Sequence, residues 1–158
     1  MSFIHVLGIG SPFGDDRLGW EVIERLQQQT SIRSLPAHVL KLISCDRPGI
    51  RLLELIKEAR VALLIDAMRS GTEEGTIRCL KNVEIESCED FLSSHNIGVA
   101  QALKLGRVLN DLPQEIILYG VEVNPVEWSN VLSAPIQKAI RKLVVILEHD
   151  IIQFTKKI

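Results

Sequence analysis

Two carboxylates that close apolar runs, and one histidine ahead of a helical pattern, are the residues of this chain best suited to chemistry. The pair Asp15-Asp16 follows Phe3–Leu7 and the loop Gly8-Ile9-Gly10-Ser11-Pro12-Phe13-Gly14. Asp66 stands directly after Val61-Ala62-Leu63-Leu64-Ile65, and His95 lies in Ser93-Ser94-His95-Asn96. In an open parallel sheet the carboxyl ends of the strands gather along one crevice, so residues far apart in sequence can meet there. Two carboxylate oxygens and one imidazole nitrogen suit a divalent transition ion and leave positions for substrate or water.

The elements that would hold these groups follow from periodicity. Phe3–Leu7, Val61–Ile65 and Ile116–Val121 are short apolar runs of buried-strand type, and His38–Ile43 alternates weakly as a further strand. Thr76–Leu80 reads as an edge strand after the loop Ser70–Gly75. Leu18, Val22, Ile23 and Leu26 recur at helical spacing and predict a helix over Leu18–Gln29. Leu52, Leu53, Ile56 and Ala59 mark a second helix, with Asp46 to Gly49 as the turn before it. Val99, Ala102, Leu103, Gly106 and Leu109 mark a third, for which Ser94 is a candidate cap. The strongest pattern is Ile136, Ile140, Leu143, Val144, Leu147 and Ile151, opened by Ser133 and Pro135. The order β-α-β-α-β-β-α-β-α predicts one α/β domain over residues 1–158, a three-layer sandwich with a five-stranded, mostly parallel sheet.

Composition narrows the function classes. The 158 residues are 46% hydrophobic and 24% charged, ordinary for a folded domain. A net charge of −2 offers no long-range attraction to nucleic acid or to an anionic membrane surface. No apolar run approaches the roughly 20 residues of a bilayer span. Cys45, Cys79 and Cys88 are odd in number and lack Cys-x-x-Cys spacing, so neither a disulfide framework nor a zinc ribbon is suggested, and a reducing cytoplasm is expected.

Simpler readings compete with metal chemistry. Gly8-Ile9-Gly10 begins like a dinucleotide fingerprint, but Phe13 stands where the third glycine belongs, Pro12 removes an amide, and Asp15-Asp16 repels phosphate. Asp15 alone could be explained as a helix cap worth about 0.3–1 kcal/mol. Asp66 resists that explanation, because a carboxylate at the end of a buried strand needs a partner. A helix amino terminus disfavours imidazolium, which biases His95 toward the neutral, metal-binding form. His5, His38 and His149 read as structural, and Cys45 as a buried structural thiol.

Taken together, Gly8-Ile9-Gly10 through Asp15-Asp16 and Gly19, Ile65-Asp66-Ala67, and Ser94-His95-Asn96-Ile97-Gly98 resemble the hydrogenase maturation endopeptidases. Gly71 to Gly75-Thr76, the helix Ala100–Leu109, Leu118-Tyr119-Gly120-Val121-Glu122 and Leu132-Ser133-x-Pro135 extend the resemblance over nearly the whole chain. Such enzymes remove a carboxy-terminal extension from the large subunit of nickel–iron hydrogenases. The resemblance implies a five-stranded twisted sheet flanked by helices, metal-contacting roles for Asp16, Asp66 and His95, and a hydrogenase large-subunit precursor as partner. It also implies that the ion is nickel supplied by that precursor, so that the isolated protein's site is empty or holds an adventitious divalent ion. The chain departs from the family pattern at Ser11, where asparagine is usual, in a loop one residue shorter, and at Asp46-Arg47-Pro48, where a small Gly-Gly-Thr-like turn is usual.

No serine or cysteine nucleophile with a base and an orienting group is evident, so metal assistance is the economical route to peptide hydrolysis. Asp15 would then support the triad from behind. Two other classes use the same residues: a metal-sensing chaperone or assembly factor without catalysis, and a small-ligand hydrolase or phosphorylase on a similar scaffold.

Overall fold

In the computed structural model, which describes residues 3–88, 98–124 and 131–158, five strands form one sheet in the order β2-β1-β3-β5-β4. The strands are β1 (Ile4–Gly10), β2 (Leu40–Asp46), β3 (Val61–Met68), β4 (Ile77–Lys81) and β5 (Glu115–Glu122). All pairings are parallel except β4 with β5, so β4 is an antiparallel edge, as its sequence position suggested. Every residue of β1 and β3 is buried, whereas β2 and β4 are partly exposed. That contrast is why the central strands read as continuous apolar runs and the outer ones do not.

Helices cover both faces. α1 (Leu18–Gln27) and α6 (Ala134–Thr155) pack on one, in a cluster that includes Val22, Leu26, Ile136, Leu143, Leu63 and Ile65. α3 (Leu52–Ile56) and α5 (Val99–Val108) pack on the other, with Leu52, Ile56, Leu103, Ala62, Leu64 and Met68. The alternation along β3 is strict: odd positions 61–67 face α1 and α6, and even positions face α3 and α5. Two short helices, α2 (Thr30–Arg33) and α4 (Val83–Glu86), add single turns that periodicity cannot register. Tyr119 of β5 ties the sheet to α6 by donating its hydroxyl to Asp150 at 2.7 Å.

Several boundaries move. β1 runs on through Gly8-Ile9-Gly10, which had read as loop, because the approach of α1 requires residues without side chains. A Cβ on Gly8 would lie 2.2 Å from the Gly19 carbonyl oxygen, and one on Gly10 would lie 2.4 Å from that of Asp16. The glycines serve close helix–strand packing, and no phosphate need be invoked. β2 starts two residues later than expected, since the Pro36 carbonyl accepts from the amides of Val39 and Leu40 and closes a turn there. The third predicted helix begins at Val99 with Gly98 as its cap, and Gln101 Oε1 accepts from the Gly98 amide at 3.1 Å. Ser94, the expected cap, lies outside the described residues.

The sheet opens where the carboxylates gather. Pairing of β1 with β3 ends at Gly8↔Ile65, while β1 continues along β2 to Gly10↔Asp46 and β3 continues along β5 to Met68↔Glu122. Beyond Ile65 the two central strands therefore part. This split between β1 and β3 is the topological switch point of the 2-1-3 order, where open α/β sheets bind ligands.

Candidate active site

A one-turn 3₁₀ helix, Gly14–Arg17, carries Asp15 and Asp16 into the split. The turn is held to the strand end by the Ser11 amide, which donates to the Asp16 carbonyl at 3.2 Å, and Gly14 takes φ 55° to begin it. The Ser11 hydroxyl also reaches Asp16 Oδ2 at 3.4 Å, the long end of hydrogen bonding. Serine in place of asparagine thus still braces the acid beside it.

The two acids of the pair face different neighbours. Asp16 Oδ1 accepts from Arg69 Nη2 at 2.9 Å. Asp15 turns away and accepts from both the amide and the hydroxyl of Ser133, each at 2.9 Å. Asp15 therefore anchors Ser133, the residue that precedes α6, and supporting the metal triad is not its role in this geometry. The same Ser133 hydroxyl lies 3.0 Å from Glu74 Oε1, which draws the loop before β4 to this corner.

Asp66 lies within β3, not after it, at the first position beyond the β1 pairing. It is 3% exposed, and Oδ1 accepts from the Ala67 amide at 2.9 Å. Oδ2 is buried with no hydrogen-bond partner among the described residues. Burial pushes the Asp66 carboxyl well above its usual range; the Ala67 amide and Arg69 pull the other way, and the Asp16 charge adds to the rise. A buried acceptor without a donor is costly, and a charged one more so. A cation at that oxygen would relieve both burial and repulsion by Asp16, so the residues present fit a divalent ion.

His95 lies outside the described residues. The helix that follows it, α5, packs on the sheet face to which position 66 belongs by alternation, among Leu64 and Met68. Among the described residues, no three His, Cys, Asp or Glu side chains gather as a complete metal set. Two of the three expected ligands, Asp16 and Asp66, are brought to one crevice.

The other titratable candidates are structural, as their contexts implied. His5 is buried at the opposite end of β1, with Nδ1 2.8 Å from the Leu55 carbonyl. Cys45 is buried, its thiol pushed up to about 12 by burial and then by Asp66, which leaves it protonated and inert. Beside it, the Asp46-Arg47-Pro48 turn is tied to the end of β1 by the Arg47 amide, which donates to the Gly10 carbonyl at 3.0 Å. Arg47 takes φ 41°, pairs with Asp46 at 2.7 Å and lies over the Phe13 ring, 5.9 Å from its centroid.

Two residues here were given no role from the sequence. Arg69 is three positions past Asp66, and Glu122 ends β5 just as Asp66 interrupts an apolar run. Glu122 is 4% exposed and accepts from the amides of Ser70 and Gly71 and the hydroxyls of Ser70 and Thr72. Burial favours its neutral form, but these donors together outweigh burial and hold the carboxyl below its ordinary value. A depressed carboxyl contributes stability above its unfolded pKa, and that contribution is lost as pH falls through the folded one. Glu122→Gln, which sets an amide NH₂ against the Ser70 and Gly71 amides, is expected to cost about 2–3 kcal/mol at pH 7. Thermal melts of wild type and variant should converge only as pH falls below about 4, through the folded value; a gap of equal size at pH 7 and at about pH 3 refutes the ionised role.

The family model for hydrogenase maturation protease (HycI) matches residues 20–150. Hydrogenase expression/formation protein HupD of Thiocapsa roseopersicina is 32% identical over 130 residues, covering 78% of this chain and 55% of that protein. HoxM of Cupriavidus necator, with the same description, is 27% identical over 147 residues, covering 86% and 69%. The chain thus spans little more than half the length of the Thiocapsa relative. Among solved structures, the hydrogenase maturating endopeptidase HybD from E. coli superposes with a TM-score of 0.77 at 24% identity, covering 94% of this chain and 93% of that one. HycI from Thermococcus kodakarensis superposes with a TM-score of 0.72 at 18% identity, covering 96% and 92%. At these identities the superpositions show a shared fold.

Proposed function

Because the chain belongs to the hydrogenase maturation protease family, we propose that it is an endopeptidase that removes a carboxy-terminal extension from a hydrogenase large-subunit precursor already loaded with nickel. The observation that carries this reading is the buried Asp66 Oδ2 at the switch point, which has no partner among the described residues and feels the charge of Asp16. Such an oxygen is built for a cation, and the precursor's nickel is the one this reaction offers.

Asp16, Asp66 and His95 contact the precursor's nickel and so seat the precursor's carboxy-terminal region along the β1–β3 split. Hydrolysis adds water across the scissile amide: the water oxygen bonds to the carbonyl carbon, the C–N bond breaks, and a proton goes to the leaving amine. A positive ion beside the scissile carbonyl polarises it and acidifies a nearby water. The carboxylates hold that ion in place and orient the water's hydrogens, so the attack geometry is set before the bond breaks. Cleavage that needs nickel in the substrate occurs only after metal insertion is complete.

A reducing compartment such as the cytoplasm is proposed for the reaction, because three cysteines without a paired framework suit one. No helix among the described residues is long and apolar enough to cross a membrane. The crevice offers phosphate no welcome, since carbonyl oxygens occupy the space next to Gly8 and Gly10 and two acids flank it, which disfavours a phosphorylase.

Intact-mass measurement after mixing the protein with nickel-loaded and nickel-free precursor tests the proposal. The loaded precursor should shorten and the nickel-free one should not. A loaded precursor that binds without losing mass would make the protein an assembly factor instead.

A further inference from the structure

Arg69 introduces a charge at this site that the reading above does not use. It follows the end of β3 and donates from Nη2 to Asp16 Oδ1 at 2.9 Å, with side-chain exposures of 28% for Arg69 and 20% for Asp16. The same guanidinium acts electrostatically on Asp66. That guanidinium pairs directly with Asp16 alone, while Asp66 Oδ2 has no donor among the described residues. A guanidinium cannot yield by losing a proton, so an incoming ion that takes Asp16 Oδ1 has to displace it. Its partial exposure gives it a way out toward solvent.

We infer that Arg69 is a resident counter-cation that reserves the Asp16–Asp66 pair for an ion delivered by a bound partner, and keeps free divalent ions out. The inference rests on the proposed role of these acids toward the precursor's nickel. Free hydrated ions at low concentration compete poorly against a tethered charge at hydrogen-bond distance. An ion fixed in a docked precursor arrives at the effective concentration of an intramolecular ligand, and it carries the docking energy of the whole complex. Arg69 therefore acts as a specificity-determining residue: it separates ions by how they are carried rather than by element.

Calorimetric titration of the untagged full chain with Ni²⁺ alone tests this, with no precursor and no activity assay. Arg69→Met should bind Ni²⁺ about tenfold or more tightly than wild type, since the competing charge is gone while the aliphatic packing remains. Arg69→Lys should stay as weak as wild type, because the competing charge persists. Adding Asp16→Asn to Arg69→Met should erase the gain. Equal or undetectable affinity in wild type and Arg69→Met overturns the inference. If in that case Asp16→Asn or Asp66→Asn still weakens Ni²⁺ binding, only the role of Arg69 fails. If neither acid matters to Ni²⁺ in any background, the metal-contacting role of the pair fails as well. Melting curves confirm folding of each variant, and a purely structural role for Arg69 would lower them without raising affinity.

Discussion

Asp66→Asn is expected to make the protein more stable at neutral pH and to stop precursor processing. Asparagine is isosteric, so its carbonyl oxygen can still accept from the Ala67 amide, while the second position, without a partner among the described residues, carries an NH₂ in place of charge. A neutral unsatisfied group costs less than an ionised one, and the repulsion from Asp16 disappears. The expected gain is about 1–2 kcal/mol, or roughly 3–6 °C in Tm for a domain of this size. Its pH dependence has a definite sign. The folded carboxyl is raised, so the unfolded chain releases its proton first, and wild-type stability falls as pH rises from the unfolded value near 4 through the folded one. The advantage of the variant should thus vanish near pH 4, grow as pH rises, and level off once the folded group has ionised. Activity moves the other way. Removing a charged contact to the substrate's ion forfeits several kcal/mol of transition-state stabilisation, about 10³-fold or more in rate. Melting curves at pH 4 and pH 7, with precursor intact mass, read both effects. A variant less stable at pH 7 than wild type, or one that processes normally, contradicts the site as drawn.

Gly8→Ala is expected to be the most damaging single-methyl change in the chain. The added Cβ would sit 2.2 Å from the Gly19 carbonyl oxygen and 2.7 Å from both the Gly19 carbonyl carbon and Ile23 Cγ1. Backbone on one side and a packed strand on the other leave nothing that can yield. Separation of α1 from β1 would expose the cluster of Leu18, Val22 and Leu26 and move the turn that carries Asp16. A loss of about 4 kcal/mol or more, with Tm lower by about 10 °C or recovery only as aggregate, is the expected result. Gly71→Ala is the informative contrast. Gly71 has φ 88° but nothing within 4 Å of its Cβ position, so it should lose only the conformational term, about 1–2 kcal/mol. Comparable losses at the two positions would show that crowding at the β1–α1 contact is not what demands glycine there.

Local pattern sufficed for most of the elements and for the burial of Asp66. A run such as Val61–Ile65 can only be a strand buried on both faces, and an acid that interrupts such a run signals a buried charge whatever the fold around it. The long spacing from Ile136 to Ile151 likewise had one solution, and α6 forms over Ala134–Thr155. Resemblance across ordered motifs identified the family, which the match over residues 20–150 bears out.

What the acids do was decided elsewhere. Asp15 and Asp16 are adjacent and chemically identical, yet one anchors Ser133 at the start of α6 and the other faces Arg69. Nothing in the dipeptide distinguishes them, because the distinction depends on partners 118 and 53 positions away. The glycines read as loop from sequence and proved to be strand, since their necessity comes from a helix packed across them. Glu122 and Arg69 took their meaning from loops that sequence leaves unplaced. Hydrophobic period and run length are properties of neighbouring residues, so the chain alone determined strands, helices and a suspicious buried charge. Register, the parting of β1 from β3 and the partner of each carboxylate depend on contacts between distant segments, and only the folded sheet could decide them.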